Sequence, residues 1–213
     1  MTLTEKGCYE PIITKDKQQQ PSSRSQICPF SKTARDETSI GKDLFDLPSN
    51  KLDDKIGFYS ACYAGYVSEK PYRDIGGSGG MGTWLACELL RQKKIDAVIH
   101  VHEKKTKDIP LLTYHTSTSK NEIMRGAKSR YSPSVMFEIR NTVINSNGRY
   151  AFVGIPCFVK ALRLLQIEHP ILKERIKYTI VLVCGHLKSR QFADHLGWQL
   201  GIEPGNISEL DFR

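Results

Sequence analysis

The residues best placed to do chemistry in this sequence are a glycine loop, two closely spaced cations and a cysteine that opens a helix-forming run. Residues 76–82, GGSGGMG, hold five glycines, which leave the backbone able to take positive φ and to approach a bulky, phosphate-bearing ligand. From Thr83 an apolar run (Trp84, Leu85, Ala86, Cys87, Leu89, Leu90) closed by Arg91, Lys93 and Lys94 predicts a helix whose basic end complements its dipole. A glycine loop feeding a helix start is an anion site, because free N–H groups and the positive dipole end point the same way.

The loop matches known phosphate and nucleophile motifs only in part. Residues 77 and 82 have the spacing of a P-loop, but Thr83 stands where that motif needs lysine. Residues 77–82 also spell G-x-G-x-x-G, with Glu103 about 20 residues beyond, as a nicotinamide-binding fold requires. Residues 76–80 spell G-x-S-x-G around Ser78, as in a hydrolase nucleophile elbow. Both motifs need a strand directly before the loop, and Pro71, Tyr72, Arg73 and Asp74 stand there instead.

Further along, GAKSRYSP (126–133) crowds Lys128 and Arg130 before an expected helix with Ser132 as N-cap and Pro133 in its first turn. Such a loop suits phosphate or carboxylate as well as it suits a solvated surface. Cys157 follows Pro156 at an expected helix start, where the dipole favours thiolate. A packed core thiol is the alternative. His186 follows a strand end and is a candidate for proton transfer, though hydrogen bonding in a loop is the commoner use. Ser22, Ser25, Cys28 and Pro29 spell S-x-x-S-x-x-C-P, the spacing of an iron–sulfur loop with a single thiol left. A lone Cys28 holds no cluster, so it is expected to be a buried small hydrophobe.

The elements that must position these groups follow an α/β plan. Residues 56–66 read as an aromatic strand, 95–101 as a buried strand and 111–116 as a second short one. Ser119 and Glu122 form a capping box for a short helix stopped by Gly126. Met136, Ile139, Arg140, Val143 and Ile144 give the next helix an apolar stripe ended by Asn147 and Gly148. Strands at 150–154 and 178–184 each turn into a helix, at 159–166 and 189–200, and 207–212 reads as a last strand. Unbroken apolar strands alternating with amphipathic helices imply a mostly parallel sheet with helices on both faces. Ligands then bind beyond the carboxyl ends of the strands, where Cys157, Cys184, His186 and the Lys128 loop fall.

Composition sets the bounds. The 213 residues suit an α/β domain over 51–213 with an irregular arm over 1–50. The formal charge of +8 is spread along the chain rather than gathered in an arm, so a phosphorylated cofactor explains it as well as nucleic acid does. No nucleic-acid partner is expected. Six cysteines without a C-x-x-C pattern read as reduced thiols. No apolar run approaches a membrane span and no signal sequence opens the chain, which places the expectation in the cytoplasm.

Four separated motifs, GGSGGMGTWLACELLRQKKIDAVI, GAKSRYSP, YAFVGIPCFVKALRLLQ and VCGHLKS followed by phenylalanine, stand in an order and spacing that resembles the beta-subunit family of coenzyme F420 (8-hydroxy-5-deazaflavin) hydrogenases and dehydrogenases. In the arm, EPII, CPFS and DETSIGKDLF resemble that family's link between its iron–sulfur region and its flavin domain. The resemblance implies an FAD-dependent oxidoreductase passing electrons or hydride between FAD, iron–sulfur centres and a deazaflavin or other organic substrate, with an electron-transfer partner subunit. It implies cofactor contacts at Ser78, Gly79, Gly80 and Thr83, a basic loop at Lys128 and Arg130, and a strand-end turn at Gly154, Pro156 and Cys157. Cys157 is a metal ligand in this reading only with cysteines beyond this chain. Ser22 and Ser25 stand where relatives have cluster cysteines, and relatives continue past Arg213. A 4Fe–4S cluster, possible in full-length relatives, is therefore expected to be absent here. A nicotinamide enzyme using residues 77–82, or a non-catalytic flavin-binding accessory protein of a surface-polysaccharide pathway, is the competing reading.

Overall fold

The structure is a computed structural model describing residues 2–10, 26–105, 110–129, 131–136, 138–186, 188–204 and 206–207. A five-stranded sheet organises it, in the order β7-β6-β5-β8-β9. Its strands are β5 (Ala97–Lys105), β6 (Pro110–Ser117), β7 (Ser134–Val135), β8 (Tyr150–Gly154) and β9 (Ile176–Val181). β5–β8, β8–β9 and β6–β7 pair in parallel, and only the β5–β6 hairpin is antiparallel. The mostly parallel α/β sheet expected from the sequence is the fold observed.

The unbroken apolar runs of β5 and β8 are explained by burial on both sides. Ala97 and Ile99 with Tyr150 and Phe152 face one core, which α4 (Ile139–Ile144), α5 (Pro156–Glu168) and α6 (Pro170–Arg175) cover through Ile139, Val143, Leu162 and Leu172. Val98 and Ala151 face the other, closed by Ala86 and Cys87 of α2 (Met81–Arg91) and Ile123 of α3 (Lys120–Arg125). Alternation along each strand thus feeds two helical layers. Phe152 is fully buried and stacks on Tyr114, centroids 4.9 Å apart.

Polar contacts fix where the elements begin and end. Asp96 and Arg149, just before β5 and β8, form a bidentate pair (2.8 and 3.0 Å), and the Arg149 backbone N–H donates to the same carboxylate at 2.8 Å. This clamp sets the amino ends of neighbouring strands level. The Ser119–Glu122 capping box starts α3 as its spacing requires. Arg175 donates to the carbonyls of Val143, Ile144 and Ser146, satisfying the free carboxyl end of α4.

Ahead of the sheet, β1 (Thr2–Leu3) pairs with β2 (Tyr9–Glu10), and α1 (Glu37–Phe45) packs on the hairpin β3 (Lys51–Asp53) and β4 (Gly57–Tyr59). Asp36 caps α1 through Ser39 N–H at 2.7 Å. At the other end, Ser189 precedes α7 (Arg190–Gln199), where the Arg190 N–H reaches the Gly7 carbonyl.

Four expectations need correction. The aromatic run 56–66 is a strand only over Gly57–Tyr59; Tyr63 and Tyr66 lie in irregular, exposed chain. Its alternation never meets a core, so no ladder forms. Ser132 and Pro133 start no helix but lead into β7, and the helix begins at Ile139. The strand at 178–184 begins earlier and ends at Val181. Cys28 is exposed rather than buried. The expected last strand, 207–212, falls outside the described residues beyond Ile207. No described helix is long and apolar enough to cross a membrane.

Candidate functional site

The glycine loop is shaped by its own neighbours. Gly80 has φ +77 and serves as N-cap of α2, where a side chain is strained and no side-chain bond caps the helix. A Cβ on Gly80 would lie 2.6 Å from the Tyr72 carbonyl oxygen, and one on Gly76 2.8 Å from the same atom. Gly79 passes 3.2 Å, by the same measure, from the Gly65 carbonyl, and its own carbonyl accepts from Val67 N–H at 2.9 Å. Internal packing therefore accounts for three of the glycines. The result is a tight loop whose helix start is left uncapped.

That helix start meets the carboxyl ends of β8 and β9. Gly82, in the first turn of α2, lies against Leu182, whose N–H donates to the Gly154 carbonyl at 2.9 Å. Gly154 ends β8, and Ile155 and Pro156 open α5, a second helix start with no side-chain cap. A Cβ on Gly154 would clash with Tyr114 Oη at 2.7 Å and with the Phe152 ring, so glycine there brings the β8 end down onto the core. Two helix N-termini without a side-chain cap thus both adjoin Leu182. Tyr66, Met81 and Val183 add exposed apolar surface nearby in the chain.

Of the residues proposed for the site, Ser78 and Pro156 are exposed, Gly79, Gly80, Thr83 and Cys157 are half-buried, and Gly154 is buried. Lys128 is exposed with φ 77, on the loop between α3 and β7. Ser134 pairs with Leu112, and Leu112 with Glu103, so this loop reaches the level of the β5 carboxyl end. Arg130 lies outside the described residues. Cys184 is half-buried and interacts with Cys157 across the two strand ends. His186 is exposed and contacts Lys188 Nζ.

Electrostatics reverse one expectation. The Cys157 thiol is pushed above its usual value, chiefly by burial; backbone N–H groups of Phe158 and Cys157 itself pull the other way and Cys184 adds to the rise. Desolvation outweighs the helix start. Burial also raises the Tyr114 hydroxyl, with Cys157 contributing. Among the described residues no group of three or more His, Cys, Asp or Glu is arranged to hold a metal ion.

Sequence reasoning missed Tyr72. It is buried, packs in one cluster with Cys87, holds the Lys120 ammonium 4.9 Å from its ring centroid, and its carbonyl forces Gly76 and Gly80 to be glycine. Only its place between proline and the glycines hinted at a structural role. It missed too the three histidines on the α3 side of the hairpin, His100, His102 and His115, with ring centroids 6.3 and 5.8 Å apart. Gly126 makes room for the His100 ring, which would otherwise stand 2.3 Å from a Cβ.

The nicotinamide and nucleophile-elbow motifs gain no strand before the loop: residues 60–80 contain none. What the fold defines is an α/β protein with two helix starts beside the carboxyl ends of two adjacent parallel strands. The chain belongs to the coenzyme F420 hydrogenase/dehydrogenase beta-subunit family: the family's N-terminal part matches residues 62–140 and its C-terminal part residues 147–213. It is 29% identical over 147 residues to a coenzyme F420-dependent sulfite reductase of Methanocaldococcus jannaschii, covering 59% of this chain and 23% of that protein. The fold also matches a chain of the F420-reducing NiFe hydrogenase complex from Methanosarcina barkeri, with TM-score 0.57 and 17% identity over 70% of this chain and 52% of that one. The chain thus spans only about a quarter of the matched reductase and half of the matched hydrogenase chain.

Proposed function

We propose that this chain is the flavin-binding portion of an oxidoreductase that uses FAD and exchanges electrons with a small redox substrate, deazaflavin or another organic molecule, in company with an electron-transfer partner. The observation that carries this reading is the convergence of the uncapped starts of α2 and α5 at the Gly154–Leu182 contact. The N–H groups at the start of α2 and two positive dipole ends there suit a pyrophosphate. Lys128 would bring a cation to the same edge of the sheet. Leu182 and the neighbouring exposed apolar side chains offer a wall for an aromatic ring.

Bound flavin would supply the two-electron chemistry; the protein's part is binding, orientation and exclusion of water. Residues 78–83 would hold phosphate through backbone N–H groups, and Ser78 and Thr83 would add hydroxyl donors. The turn at Gly154 and Pro156 would lie beside the ring at the strand ends. Cys157, its thiol protonated through burial, would pack at the ring as a neutral group. In relatives with more cysteines the same position suits a cluster ligand.

Denaturing the purified protein and identifying the released cofactor tests the reading. FAD, with the visible bands of oxidised flavin before release, is the expected result. Release of NAD, or no uptake of FAD on reconstitution, overturns it. Labelling of Ser78 by a fluorophosphonate would instead favour a hydrolase.

A further inference from the structure

A cavity of about 290 Å³ lies between α1 and the α5–α6 corner. It is separate from the strand-end site proposed above: Arg163, in its wall, follows Pro156 by seven residues, roughly 10 Å along α5. Ile40, Leu44 and Pro170 give it an apolar floor, and Ile40 is buried.

Its polar lining is unbalanced. Arg163 is half-buried, and its guanidinium donates to two neutral oxygens, Gln166 Oε1 at 3.0 Å and Thr179 Oγ1 at 2.9 Å. No carboxylate among the described residues pairs with it. Gln166 is itself buried and fixed by a bond from Nε2 to the Leu172 carbonyl, so the guanidinium is held from below. Lys173 adds a second cation at the rim. The other charges are already matched: Arg35 with Asp43 at 2.6 Å, and Lys160 with Glu37 at 3.1 Å, the latter tying α1 to α5. Burying a guanidinium costs free energy unless an anion compensates it, and burial here lowers the Arg163 pKa.

We propose that this cavity is a binding site for a small amphipathic anion, with an apolar body against Ile40, Leu44 and Pro170 and a carboxylate or phosphate head on Arg163 and Lys173. An oriented guanidinium is suited to bidentate contact with either head group. The volume lies at the small end of ligand pockets, which fits a single-ring molecule rather than a dinucleotide.

Calorimetric titration with phenyl phosphate, benzoate and the neutral benzyl alcohol tests this, with the protein both free and loaded with FAD, so that failure of the flavin site leaves the test intact. Saturable one-to-one binding of either anion, unaffected by FAD and absent for benzyl alcohol, is expected; which anion binds more tightly identifies the head group. Arg163→Gln should weaken it at least tenfold and Lys173→Gln about threefold. Leu44→Trp, which fills the cavity without touching the cations, should abolish it with the circular dichroism unchanged. No binding of either anion, equal binding of benzyl alcohol, or binding unchanged in Arg163→Gln and Leu44→Trp overturns the proposal.

Discussion

Gly82 rests on Leu182: a Cβ at Gly82 would lie 3.2 Å from Leu182 Cδ2. This contact joins the first turn of α2 to the end of β9, and the neighbour is the flexible tip of an exposed side chain. Two effects oppose each other in Gly82→Ala. Alanine gains roughly 1 kcal/mol of helix propensity over glycine, and the tip of Leu182 must shift by a few tenths of an ångström. Chemical denaturation should show a net change within about 1 kcal/mol of the parent. A loss well beyond that would mean Leu182 cannot move.

Gly80→Ala should behave otherwise. Here the obstacle is the Tyr72 backbone at 2.6 Å, and the residue already sits at φ +77. A side chain in that region costs on the order of 1–3 kcal/mol, and the backbone clash adds to it. Denaturation midpoints for Gly80→Ala and Gly82→Ala, measured together, should separate clearly, with Gly80→Ala the less stable.

The contrast shows what the sequence made legible. Five glycines in seven residues announced a special backbone, but the pattern could not say that Tyr72, rather than a ligand, crowds Gly76 and Gly80. Strand β8 and helix α5 were readable because a two-sided apolar strand followed by proline at a helix start leaves few alternatives. The run 56–66 misled because alternation indicates a strand only if one face finds a core, and a local pattern does not contain that partner. The Ser132–Pro133 signal failed for a similar reason: pairing of Ser134 with Leu112 captured the segment as strand before a helix could start.

The histidine cluster predicts a stability profile. His100 is buried with Nε2 2.8 Å from Ser117 Oγ, and its pKa is pulled down to about 4, first by burial, then by His102 and His115, against Glu122. The unfolded chain takes up this proton near pH 6.5, so between roughly pH 6.5 and 4 it binds more protons than the folded one. The contribution is fully present above that window and lost as the pH falls through it, by roughly 3 kcal/mol in all. His100→Gln should flatten the curve of unfolding free energy between pH 7 and 4 relative to the parent. Parallel curves for the two proteins would show that His100 takes its proton in the fold as readily as in the open chain.

Cys157 supplies the last prediction. A cysteine in the first turn of a helix is ordinarily a nucleophile, because the N–H groups stabilise thiolate. Here burial outweighs the two backbone N–H contributions and the neighbouring Cys184 opposes ionisation, so the thiol titrates above the ordinary cysteine range. Iodoacetamide modification followed peptide by peptide in a mass spectrometer isolates Cys157 from the exposed Cys8, Cys28 and Cys62. Its rate should climb only above the pH range where an ordinary thiol ionises, and Cys184→Ser should move the climb to lower pH because one source of like charge is gone. A plateau at neutral pH would mean that the helix start outweighs burial after all, and that Cys157 meets its ligand as a thiolate.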